Sequence, residues 1–182
     1  EGYKQFGILC GYAEASIIHN CTITDMKMTA HRYGGGIVGY DSGSTITGCT
    51  VSGEITGYED YGDESRCLGG IVGYGYNGTL VEDCRSEITI KKYLASHKLS
   101  SLGGVVGSLG QGEIRRCSSV CHITGRNYIG GITGESIWKT NIVEDCRADA
   151  TLSGYENVGG LIGRNGNSSF SADYAGGTVR RC

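Results

Sequence analysis

A block that opens Gly-Gly-apolar-apolar-Gly and closes, after a turn, on apolar-x-x-Cys recurs along the whole chain, and any fold must accommodate it about six times. The clearest copies are Gly35-Gly36-Ile37-Val38-Gly39-Tyr40 with Ile46-Thr47-Gly48-Cys49, and Gly69-Gly70-Ile71-Val72-Gly73-Tyr74 with Val81-Glu82-Asp83-Cys84. Gly103-Gly104-Val105-Val106-Gly107 with Ile114-Arg115-Arg116-Cys117 and Gly130-Gly131-Ile132-Thr133-Gly134 with Val143-Glu144-Asp145-Cys146 continue the series. A degenerate first copy ends at Cys21, and the last runs from Gly159-Gly160-Leu161-Ile162-Gly163 to Val179-Arg180-Arg181-Cys182. Such self-similarity marks a repeat architecture in which each copy buries its apolar side on its neighbours.

After each interior Cys the apolar pattern switches to a period of two, as in Cys49, Val51, Gly53, Ile55 and in Cys84, Ser86, Ile88, Ile90. That is a strand with one buried face. The Gly-Gly-Ile-Val-Gly segment reads as a second short strand and the residues around Ile46 or Val81 as a third. Helical repeats are excluded because Gly at this density would cost a helix about 1 kcal/mol per residue. With 33 Gly but no Pro the chain is not collagen-like, and its regular apolar spacing is not that of a disordered segment. The expectation is an all-β, right-handed parallel β-helix, a β-solenoid of about six rungs with roughly three short strands per rung. Residues 1–182 read as one solenoid domain, part of a longer chain.

A net charge of −3 without a long basic block argues against nucleic acid as a partner. The apolar runs are far shorter than a membrane span, so direct membrane insertion is not expected, and the chain opens Glu1-Gly2-Tyr3-Lys4 rather than on a signal peptide. A soluble mature protein, or a piece cut from one, is the reading.

Gly-Gly-Ile-Val-Gly-Tyr, a small polar turn and then Thr-Ile-Thr-Gly-Cys-Thr-Val-Ser-Gly-Glu-Ile resembles the GLUG repeat, with residues 35 to 57 the best fit. The resemblance implies a bacterial surface or secreted protein, adhesin-like, or the non-catalytic part of an IgA-specific metallopeptidase. It supplies no catalytic residue.

Cys21, Cys49, Cys84, Cys117, Cys146 and Cys182 share one repeat position and form a ladder on one interior line. Equivalent residues on neighbouring parallel strands keep their Cβ atoms ~4.8 Å apart, longer than the ~3.8 Å of a disulfide, so free packed thiols are expected. A disulfide framework and a zinc site are the competing readings, the second without any Cys-x-x-Cys to support it. Cys10, Cys67 and Cys121 lie off the ladder, with Cys67, in an insertion, the candidate reactive or bridged thiol. The two residues before each ladder Cys form a second column: Glu82-Asp83, Arg115-Arg116, Glu144-Asp145, Arg180-Arg181, acidic alternating with basic. Stacked one rung apart they would attract, and the column reads as register specification rather than a ligand site.

Solenoid function lives in insertions between rungs. Two long ones follow Ile55 and Ile90, one acidic with Tyr58 and Tyr61, the other basic with Tyr93 and His97; with Trp138, the only Trp, these are the candidate binding residues. Packing of the insertions on each other, and of Trp138 over the core, are the alternatives. Tyr12, Tyr40 and Tyr74 share a position and should stack. His-Glu-x-x-His, Gly-x-Ser-x-Gly and a phosphate-binding glycine loop are missing, and no metal or cofactor is expected. The functional expectation is a non-enzymatic, extracellular surface module that acts as spacer or binding face toward a host or neighbouring-cell protein or glycan. The alternatives are a β-helix enzyme acting on polysaccharide and the repeat region of a surface peptidase.

Overall fold

The computed structural model describes residues 5–58, 66–92, 99–166 and 175–182, and over them the chain coils through six turns of a parallel β-solenoid. Each turn contributes a strand to each of four sheets, except that the last adds none to the fourth. Sheet 1 stacks β1 (Gln5–Gly7), β5 (Tyr33–Gly35), β9 (Cys67–Gly69), β13 (Ser100–Gly103), β17 (Asn127–Gly130) and β21 (Glu156–Gly159). Sheet 2 holds β2 (Cys10–Glu14), β6 (Val38–Ser42), β10 (Val72–Tyr76), β14 (Val106–Leu109), β18 (Thr133–Ser136) and β22 (Ile162–Asn165). Sheet 3 holds β3 (Ile17–His19), β7 (Thr45–Thr47), β11 (Thr79–Glu82), β15 (Gly112–Arg115), β19 (Ile142–Glu144) and β23 (Thr178–Arg180). Sheet 4, with the longest strands, holds β4 (Thr22–Ala30), β8 (Thr50–Gly57), β12 (Arg85–Lys92), β16 (Ser118–Thr124) and β20 (Arg147–Ser153).

The solenoid is the one anticipated, but with four strands per rung rather than three. The Gly-Gly-Ile-Val-Gly segment is two strands joined by a reversal, not one strand. A Cβ on Gly35 would fall 2.0 Å from the Val38 carbonyl oxygen, and Gly69, Gly103 and Gly130 meet the same obstacle three residues on. Only glycine lets the backbone fold so closely on itself. The second glycine of each pair faces the next turn: a Cβ on Gly70 would lie 2.3 Å from the Gly104 carbonyl oxygen.

Between the first and second turns the register of sheet 4 shifts by a bulge between Ile23 and Met26, and from the second turn on the register of sheets 3 and 4 is constant. Ile46, Val81, Ile114 and Val143 pair in succession on sheet 3, and Ile55, Ile90, Ile123 and Leu152 do so on sheet 4. A one-residue slip would carry each of these to the opposite face, so the apolar pattern holds the register. Most of these side chains are buried, together with Ile37, Ile71, Val105 and Ile132 at the reversal, in one core running the length of the stack.

Candidate functional site

The corner between sheets 3 and 4 repeats most faithfully. The residue before each ladder Cys, which is Asn20, Gly48, Asp83, Arg116, Asp145 or Arg181, has a left-handed backbone, with φ between 47° at Arg116 and 62° at Gly48. This conformation suits Gly, Asn and Asp and disfavours Arg. It turns the chain sharply, and the following Cys closes the turn by donating from its thiol to the carbonyl two residues back. The Sγ to oxygen distance is 3.2 Å at Cys84, Cys117, Cys146 and Cys182, 3.4 Å at Cys49 and 3.6 Å at Cys21. The thiols also link turns: Cys49 N–H donates to the Cys84 sulfur and Cys146 N–H to that of Cys182, each at 3.4 Å. All nine cysteines are free, and Cys49, Cys84, Cys117 and Cys146 are buried. Cys67 is not exposed in an insertion but begins β9, only 4% accessible, and burial pushes its thiol up, away from the reactive thiolate.

Outside this corner the charged pairs meet in register. Glu82 pairs with Arg115, Arg115 with Glu144 and Glu144 with Arg180 along sheet 3. Arg116 grips Asp83 through both carboxylate oxygens, at 2.8 and 3.0 Å, and reaches Glu82 at 2.8 Å. Arg181 does the same to Asp145, at 2.7 and 2.9 Å. Glu144, its side chain 5% accessible, is shared by Arg115 at 2.7 Å, Arg181 at 3.1 Å and Arg180. The guanidinium groups hold Asp83, Glu144 and Asp145 below the usual carboxylate range: Arg116 at Asp83, Arg180 at Glu144, Arg181 at Asp145. Carboxylates so held keep no proton to donate at neutral pH, which is unsuited to the acid half of a glycoside-cleaving pair.

Of the five candidate binding residues the two that are described, Tyr58 and Trp138, lie at different corners. Tyr61, Tyr93 and His97 lie outside the described residues. Tyr58 follows β8 at the corner from sheet 4 to sheet 1, tilted against His31 with ring centroids 4.7 Å apart, and its carbonyl accepts from buried Arg66. Trp138 is half-buried at a different corner, between β18 and β19, where its carbonyl accepts from the N–H of buried Asn141. Tyr12, Tyr40 and Tyr74 stack on successive turns, at 5.7 and 5.2 Å, and Tyr33 closes on the last two. Rings that spend their faces on one another present edges outward, which suits packing better than sugar stacking. Among the described residues no group of three or more His, Cys, Asp or Glu could hold a metal ion, and no helix is long and apolar enough to cross a membrane.

Comparison with known proteins places a family motif on this geometry. Residues 64–91 match the model described as the GLUG motif. The chain carries a GLUG motif. The match falls one turn later than residues 35 to 57, and β9 through β12 all lie within it or overrun it by a single residue. One GLUG motif is therefore one turn: reversal, sheet 3 strand, thiol corner, sheet 4 strand. A protein of Haloquadratum walsbyi named halomucin is 29% identical over 184 residues, covering 92% of this chain but 2% of that protein. The chain thus spans about 2% of its length. That relative is archaeal, so it lends no support to a bacterial source. No solved structure matches the chain.

At the end of the GLUG turn's sheet 4 strand lies a feature not visible in the repeat pattern. The paired register carries Gly57, Lys92, Gly125 and Gly154 into one column, so Lys92 is followed by two turns without side chains there. A Cβ would come 2.3 Å from Leu102 Cδ1 at Gly125 and 2.5 Å from Ile129 Cδ1 at Gly154, so core side chains occupy the space beneath. Beside this column lies an open cavity of about 510 Å3 bordered by Lys92, Arg126 and Tyr155. The signal was present in the sequence as Thr124-Gly125-Arg126 and Ser153-Gly154-Tyr155, but only strand register aligns them.

Proposed function

We propose that this chain is a rigid, non-enzymatic segment of a large extracellular protein, a stack of GLUG turns that spaces and presents other parts of a longer molecule. The in-register stacking of six turns, broken by one bulge in the first, carries this reading: thiols and core side chains are used in joining turn to turn, and the four acidic residues of the corner column, Glu82, Asp83, Glu144 and Asp145, are answered by arginines. The similarity to halomucin supports an extracellular placement, since its name marks it as a mucin and the shared region is a small fraction of it. The partners we assign are neighbouring domains of the same polypeptide and, on the lateral faces, a protein or glycan of another cell, in an adhesin-like role.

Native-state hydrogen exchange tests the rigidity. Amides of β5 through β20 should exchange only through global unfolding; a middle turn that opens independently would overturn the spacer reading. Labelling of intact source cells with a membrane-impermeant amine reagent tests the location. Extracellular placement predicts labelled lysines, and lysines protected until lysis would refute it.

A further inference from the structure

We propose that the outer face of sheet 4 pairs with the same face of a second copy of this chain, the two solenoid axes running parallel. This goes beyond the spacer reading, which does not depend on whether copies pair. Strand register sorts the beginning of sheet 4, next to the thiol corner, into two neighbouring columns of outward side chains. One carries Arg85 and Arg147 with Ser118 between them, and the next carries Glu87 and Asp149 with Val120 between them. A basic column therefore runs beside an acidic one, with charge on the third and fifth turns and none on the fourth. All four charged side chains are exposed. None of them takes part in an ion pair among the described residues, whereas Lys91 and Glu54 on the same face meet at 2.7 Å and the corner column is paired throughout. Side chains two apart on a strand stand out from the sheet side by side, so Arg85 and Glu87 reach outward rather than toward each other.

The stripes are complementary to themselves in one orientation. A two-fold axis parallel to the solenoid axis, placed between the columns, sets each residue of one column opposite its neighbour in the other column, on the same turn of the second copy. Arg85 then meets Glu87 of the second copy and Arg147 meets Asp149 of the second copy, and the symmetry doubles these to four pairs of opposite charge. A two-fold axis along the strands would instead lay each column on itself, like charge on like. Val120, 38% exposed, falls opposite Ser118 of the second copy and gives an uncharged contact between the charged rows. Facing sheets pack ~10 Å apart, a gap that an arginine and an acidic side chain span together. Five strands ~4.8 Å apart and about seven residues long make a face of roughly 24 by 23 Å, which buries at most on the order of 1,100 Å2 over both copies. That is the size of a weak, exchanging contact, with a Kd on the order of 100 μM.

The test is sedimentation of the folded chain from about 0.01 to about 1 mM, with a reductant present because Cys182 is exposed. Dimer should form with rising concentration and weaken with added salt. An acidic-faced variant, Arg85→Glu with Arg147→Glu, and a basic-faced variant, Glu87→Arg with Asp149→Arg, should each lose at least about tenfold in self-association, because every cross-copy pair becomes a like pair. Mixed in equal amounts, the two variants should associate at least as tightly as the original chain, since each column again meets its opposite. A chain that stays monomeric at about ten times the expected Kd overturns the proposal. Self-association that survives either pair of substitutions places the contact on another face and overturns it as well, and so does a mixture that stays monomeric. The substituted positions are all exposed, and unchanged far-UV circular dichroism shows that the variants are folded.

Discussion

Gly104→Ala should destabilise the solenoid substantially, and Gly160→Ala, at the same repeat position, should not. The added Cβ on Gly104 would lie 2.1 Å from the Gly131 carbonyl oxygen and 2.1 Å from Ser119 Oγ. The serine can rotate away, but the carbonyl belongs to the backbone of the next turn. Reaching ordinary contact requires the two turns to part by about 1 Å at this corner, where Gly104, Val105 and Val106 donate to Gly130 and Ile132 at 3.2, 2.9 and 3.0 Å. Overpacking of this kind costs about 1–3 kcal/mol, and weakening the three bonds adds a part of ~1 kcal/mol each. A total of about 3 kcal/mol lowers Tm by roughly 6–12 °C in a chain of this size. At Gly160 a Cβ meets nothing within 4 Å among the described residues, and the expected change is within about 0.5 kcal/mol, or a slight gain from a stiffer unfolded chain. Thermal melts followed by circular dichroism, with urea midpoints as a second measure, read the difference. Equal shifts for the two variants would refute the reasoning. Adding Ser119→Ala separates the two obstacles: it should not rescue Gly104→Ala, because the carbonyl remains.

Exchanging Arg115 and Arg116 together for Glu sets like charges against Glu82, Asp83, Glu144 and Asp145; Tm should fall, by more at low than at high salt, and an unchanged or raised Tm would remove the column from the account. Acid should destabilise the fold by linkage. The folded carboxyls of Asp83, Glu144 and Asp145 lie below their unfolded values, so their contribution is complete above about pH 5 and is lost as pH falls through the folded values. Urea midpoints measured from about pH 6 to pH 3 should decline, most steeply at the acid end, and a flat profile counts against the arginine contacts. With an aromatic disulfide reagent, exposed Cys182 should react first and half-buried Cys10 and Cys21 more slowly, while Cys49, Cys67, Cys84, Cys117, Cys121 and Cys146 wait for denaturant. Rapid native reaction at Cys67 would show that its burial is misjudged.

The turn-to-turn features were legible because they repeat: Ile46, Val81 and Ile114 recur at one offset, and recurrence converts directly into stacking once the repeat is a rung. The fourth strand was hidden for a physical reason. Gly35-Gly36-Ile37-Val38-Gly39 has the composition of a short apolar strand, and the reversal within it depends on a missing Cβ, not on a polar or Pro turn signal. The left-handed corner was obscured by its side chains, since Arg116 and Arg181 are poor markers of positive φ, and Asn20, Gly48, Asp83 and Asp145 announce the turn on the other rungs alone. The cavity beside Lys92 was illegible for the opposite reason. Gly125 and Gly154 lie outside the repeated block, and nothing local says that they align with a lysine one and two strands away.

The corner also explains why Asp, rather than Glu, occupies the position before Cys84 and Cys146. That residue answers to the backbone, which needs a left-handed conformation, and to the arginine one turn on, which needs opposite charge. Asp meets both demands, because its short side chain tolerates the left-handed region. On the intervening turns no basic residue does, so Arg116 and Arg181 satisfy the charge at the expense of the backbone. Their two-pronged grip on Asp83 and Asp145, a geometry lysine cannot make, is the interaction available to offset that strain. Glu82 and Glu144, one residue earlier with ordinary strand backbone, face only the charge requirement, and there the longer acid is used.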